Sequence, residues 1–142
     1  MNALDDYLEN QVLTASPYRL HLMVLDAAIR FARQGGAAMQ ESRWEAMEQA
    51  FSRARDCLTE LIGGINPDLA PDVARNVKSL FAAAYERLAL AELLRNALQL
   101  DEALRLLQFH RETWIELGER LNSNGGASAV AAPHVPGRSW VT

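Results

Sequence analysis

Between Trp44 and Leu61 the apolar residues Trp44, Met47, Phe51, Ala54, Leu58 and Leu61 recur in steps of 3, 4, 3, 4 and 3. That spacing follows one face of a helix with 3.6 residues per turn. A helix with a single apolar stripe is marginal alone in water, so the stripe predicts a neighbour that covers it. The same period returns in three other segments, and no strand-like alternation competes with it. The expected fold is all-α.

The segment boundaries follow from local chemistry. Ser16 and Pro17 open the first helix: the Ser hydroxyl accepts a free N–H, and Pro at the first helical position loses no hydrogen bond. This helix is expected to run from Pro17 to about Glu41, with Gly35-Gly36 as a kink or early stop. Ser42-Arg43-Trp44-Glu45 reads as a capping box, so the second helix is expected from Arg43, ending at Gly63-Gly64. After the link INPDLAP, a third helix is expected from Pro71 to Asn96, with Val73, Val77, Leu80, Phe81, Ala84, Leu88 and Ala91 inward. The fourth, from Leu100 to Leu121, turns Leu104, Leu107, Trp114, Leu117 and Leu121 inward. Short links between long helices predict an antiparallel up-and-down four-helix bundle. Residues 1–16 are read as an extended N-terminal arm, 17–121 as the bundle, and 122–142, rich in Gly, Ala, Ser and Pro, as a disordered, flexible tail.

Composition narrows the function classes. The net charge is −4, Lys78 is the only lysine and no run of basic residues occurs. This argues against nucleic acid or an anionic membrane as partner. No stretch is long and apolar enough to span a bilayer, and MNALDDYLENQ lacks the pattern of a signal peptide. A single cysteine, Cys57, fits a reducing compartment and the cytoplasm. No cofactor, metal or catalytic residue is expected. His21 and His110 lack the Glu three positions earlier that a di-iron bundle site uses, and no HExxH, CxxC or phosphate-binding loop is present. Cys57 reads as a small core residue. His110 reads as a solvated or capping side chain, or, in an alternative reading, as the phospho-acceptor of a histidine phosphotransfer bundle.

The first helix has more apolar surface than one face requires. Leu20, Val24, Ala27 and Phe31 form a stripe expected to face the core, while Leu22, Leu25, Ile29 and Ala32 fall on the opposite and adjoining side. The surplus is covered by other helices, by the arm, or by a partner's amphipathic segment. A general helical interaction module satisfies this pattern as well.

Several ordered motifs resemble the flagellin-specific export chaperone family, FliS. They are Tyr7, Asn10 and Val12, then Thr14-Ala15-Ser16-Pro17, Leu20-His21-Leu22-Met23 and Ile29-Arg30-Phe31. Asp72-Val73-Ala74-Arg75-Asn76-Val77, Tyr85-Glu86-Arg87-Leu88 and Arg111-Glu112-Thr113-Trp114 follow in order. Leu25, Ala27, Phe81 and Ala84 depart from the family pattern. The resemblance implies a cytoplasmic, non-enzymatic chaperone that binds the disordered C-terminal segment of flagellin, prevents premature polymerisation and supports export. Implied partners are flagellin, the flagellar export apparatus and a second copy of the chain. Tyr7, Asn10, Val12, Leu22, Leu25, Ile29, Leu58, Tyr85, Arg87 and Trp114 are the candidates for client binding or for the covering arm. Ser16 and Pro17 are assigned to the helix start.

Overall fold

Ser16 accepts a hydrogen bond from the Arg19 amide at 3.2 Å, and Pro17 occupies the first helical turn. From that cap the computed structural model builds α1 (Pro17–Gln40), α2 (Trp44–Gly63), α3 (Pro71–Leu94) and α4 (Ala97–Ser123). The structure describes residues 16–65 and 71–123, without the side chains of Leu121 and Ser123. Each helix packs on the next in sequence, and α1 also packs on α4, which closes an up-and-down four-helix bundle. The arm, the tail and most of INPDLAP lie outside the described residues.

The α1–α2 corner is built differently from the expected capping box. Ser42 has φ 57°, in the left-handed region, and makes no cap for α2; Arg43 is the residue before the helix. Its amide instead donates to Met39 O at 3.0 Å while the Arg43 amide donates to Ala38 O at 2.9 Å. This is a Schellman closure of α1, made with serine where glycine is common. The α3–α4 corner repeats the device. Arg95 has φ 50°, and the Asn96 amide donates to Ala91 O at 3.1 Å. Asn96 then caps α4, its Oδ1 accepting from the Leu98 amide at 2.8 Å. The third helix therefore stops at Leu94 and the fourth begins three residues before the expected Leu100. The two corners share one end of the bundle, where the Arg95 guanidinium lies 3.9 Å from the centre of the Trp44 ring.

Gly35 and Gly36 neither kink nor end α1. A Cβ on Gly35 would land on the Phe51 ring, and one on Gly36 would meet Leu100 Cδ2. These glycines are places where neighbouring helices need room.

The core takes Met47, Phe51, Ala54, Leu58 and Leu61 from α2, as the stripe predicted, with Phe81, Ala84, Leu88 and Ala91 from α3. Val77 and Leu80 are partly buried, whereas Val73 is exposed, on the opening turn of α3. From α4 it takes Leu100, Ala103, Leu107, His110 and Trp114, while Leu117 stays exposed and Leu104 is partly buried. The largest correction concerns α1. Its inward residues are His21, Leu25, Ala28, Ile29, Ala32, Gly35 and Ala38, while Leu20, Val24, Ala27 and Phe31 are only partly buried. The face read as surplus is the core face. Both stripes satisfy helical periodicity, and the close approach at Gly35 selects between them.

Candidate partner-binding surfaces

The α1–α4 interface is made of rings and polar atoms. The Tyr18 hydroxyl donates to Trp114 O at 3.1 Å, the Trp114 indole N–H donates to Tyr18 O at 3.2 Å, and the two rings stack with centres 5.4 Å apart. A turn further along α1, His21 and His110 share a hydrogen bond, Nε2 to Nε2, at 2.8 Å. Phe81 and Trp114 surround the pair. His21 is fully buried, His110 is 6% exposed, and Nδ1 of His21 has no partner. Burial pushes the His21 pKa down to about 3, with a smaller contribution from His110. Burial alone lowers His110, to about 4. Both rings are therefore neutral near pH 7. One supplies the proton of the shared bond and the other the lone pair.

This replaces the solvated His110 of the sequence reading. Because its Nε2 is engaged inside the bundle, His110 is not presented to a phosphoryl donor. Further up the interface, Asp26 Oδ1 accepts from Arg111 Nε at 2.6 Å. That bond holds the Arg111 guanidinium above its usual pKa. Burial, followed by the charge of Glu60, pushes the half-buried Cys57 thiol up to about 11. A thiol in that state is a weak nucleophile.

The expected site residues separate into distinct places. Leu25, Ile29 and Leu58 are in the core and offer almost no surface to a partner. Trp114 is buried against Tyr18 and His21. Leu22 is partly buried. Tyr85 is exposed on α3 with the Arg55 guanidinium 6.0 Å from its ring centre, and Arg87 is exposed, donating to Gln99 Oε1 at 3.0 Å. Tyr7, Asn10 and Val12 lie outside the described residues.

The sequence reading missed an apolar surface on α3 and α4. Leu93, Leu94 and Leu98 are 77%, 57% and 72% exposed around the α3–α4 corner, and Phe109 is 63% exposed further along α4. The signal was available: none of these residues belongs to the inward stripe of its helix. Two grooves beside Phe109 share Arg33, Gln108 and Glu112. One, of about 780 Å³, lies between α1 and α4; the other, of about 510 Å³, includes Leu104 and Phe109. Among the described residues no three His, Cys, Asp or Glu side chains converge as metal ligands, and no helix is long and apolar enough to cross a membrane.

The family model described as flagellar protein FliS matches residues 1–121. The chain belongs to the FliS family. It is similar to proteins named flagellar secretion chaperone FliS in two organisms. The Vibrio cholerae protein is 22% identical over 110 residues, which cover 78% of this chain and 81% of the relative. The Campylobacter jejuni protein is 24% identical over 115 residues, covering 81% and 90%.

Proposed function

We propose that this chain is a flagellar secretion chaperone whose client is the C-terminal segment of flagellin. The observation that carries the reading is the exposed apolar surface of Leu93, Leu94, Leu98 and Phe109 on a chain of this family. Covering one such side chain stabilises a complex by about 1.5–3 kcal/mol. Ordering a disordered segment costs about 2–5 kcal/mol or more, so several such contacts are needed together. The client would lay apolar side chains along α3 and α4, with Tyr85 and Arg87 at the margin, and would be kept from polymerising before export. Segment 1–16, through Tyr7, Asn10 and Val12, would cover part of this surface or of Leu22 when no client is bound. The reading requires no catalysis.

Titration calorimetry with a flagellin C-terminal peptide tests it. Saturable binding tighter than about 10 μM, with a negative heat-capacity change, is expected. Leu93→Glu/Leu98→Glu should weaken it at least tenfold by putting charge where apolar contact is needed, and deleting residues 1–15 should strengthen it. No heat and no saturation with the intact chain would overturn the reading.

A further inference from the structure

Folding assembles a second surface, remote in character from the leucines of α3 and α4. Arg30 and Arg33 are exposed on α1, and Arg53 is exposed on α2. Antiparallel packing brings the Arg30 and Arg53 guanidiniums to 5.2 and 5.8 Å from the centre of the same Phe31 ring. Three neighbouring arginines are paired: Arg111 with Asp26, Arg55 with Glu92 and Arg43 with Glu41. Among the described residues, Arg30, Arg33 and Arg53 have no ion-pair partner. Two unpaired guanidiniums held over one ring repel each other in the free protein. A carboxylate-bearing partner removes that repulsion.

Beside Arg53 the surface is concave. A groove of about 340 Å³ runs between α1 and α2, floored by Ala38, Ala46 and Ala50 and rimmed by Gln34, Gln49, Arg53 and the Glu41–Arg43 ion pair. Small side chains leave a furrow into which the ridge of another helix fits. Ala37 and Gln34 also border the α1–α4 groove, where Arg30, Arg33 and Arg111 outnumber Asp26 and Glu112, so positive charge and furrow are contiguous.

We propose that this α1–α2 face docks an acidic amphipathic helix of a partner protein. Aliphatic side chains of that helix enter the alanine furrow. Its carboxylates, placed three or four residues apart, meet Arg30, Arg33 and Arg53, each able to form a two-bonded pair with a carboxylate. Phe31 supplies an aromatic floor beneath two of the guanidiniums. A polyphosphate or nucleic acid would use the charges but leave the furrow empty, which is why a helix is favoured. The inference does not rest on flagellin as client, since Arg53 and the alanine furrow lie outside the surface read for flagellin.

Fluorescence anisotropy on the full chain tests this with a synthetic helical peptide carrying a leucine stripe flanked by glutamates. Micromolar binding that weakens with salt is expected, at least tenfold weaker for the peptide with Gln in place of Glu. R30Q/R33Q/R53Q should weaken it at least tenfold with unchanged circular dichroism. Ala37→Gln, which fills the furrow border without altering charge, should also weaken it. In the calorimetric titration above, Arg53→Gln, on α2 and outside the grooves beside Phe109, should leave flagellin-peptide affinity unchanged while weakening the acidic peptide, so the two readings fail separately. Equal binding of the Gln peptide, unaltered binding by R30Q/R33Q/R53Q, or equal binding of a single-stranded DNA oligomer would overturn the proposal. So would peptide binding that appears only after residues 1–15 are deleted. That segment carries Asp5, Asp6 and Glu9 and no Lys or Arg, and the face would then belong to it.

Discussion

Against α2, helix α1 lays Gly35 on the Phe51 ring with no side chain between them. Against α4, it meets Trp114 and His110 through Tyr18 and His21, by stacked rings and directional hydrogen bonds. The first contact depends on shape alone and contains nothing that titrates. The second depends on orientation and on two imidazoles staying neutral. One bundle thus has a side sealed by close packing and a side held by polar groups that acid can disturb.

The largest expected effect separates the two sides by truncation. Phe51→Ala and Trp114→Ala should each cost about 3–5 kcal/mol by urea unfolding, because each removes a large buried ring. Only Trp114→Ala also removes the indole N–H bond to Tyr18 O and the ring stacked on Tyr18, so hydrogen exchange should rise locally at the start of α1 in that variant alone. Equal exchange in both variants would erase the distinction.

Acid is the next test. Both histidines have folded-state pKa values below the ordinary 6.5. The unfolded chain therefore binds protons that the native chain excludes, and stability falls as pH drops below about 6.5, until the folded values near 4 and 3 are reached. From pH 7.5 to 5 the loss should be roughly 2–4 kcal/mol, at about 1.4 kcal/mol per unit for each group. His21→Leu/His110→Leu should flatten this slope, and an unchanged slope would show that other groups set it.

The smallest effects come from filling the close approaches. Gly35→Ala has no escape, since Phe51 is fully buried, and should lower stability by about 1–3 kcal/mol despite alanine's better helix propensity. At Gly118 an added Cβ would meet the Tyr18 hydroxyl and ring, and moving that ring gives up its hydrogen bond to Trp114 O and its stack on Trp114. Gly118→Ala should therefore lower stability by about 1–2 kcal/mol. Thermal melts of the two variants compare a seam blocked by packing with one that yields by giving up a hydrogen bond.

Legibility from sequence followed how local each cause is. The α2 stripe identified Met47, Phe51, Ala54, Leu58 and Leu61 as core because only one apolar face was on offer. On α1 two apolar stripes competed, and propensity has no term that prefers Leu25 and Ile29 over Leu20 and Val24. The capping-box pattern at Ser42 was outweighed by the need to close α1, which drew Ser42 into the left-handed region. The exposed Leu93, Leu94 and Leu98 cluster only because the chain reverses between them.

The sequence by itself determined four helices, the Ser16-Pro17 start, the face of α2 and membership of the FliS family. Those features depend on neighbours within a few positions along the chain, or on the order of motifs. Tertiary structure alone decided which side of α1 is inside, what Gly35 is for, and that His21 and His110 share a proton. It also decided that Arg30 and Arg53 flank one ring. Each of these is a pairing between helices, set by which ridge finds which groove, and a single helix carries no record of its neighbour's register.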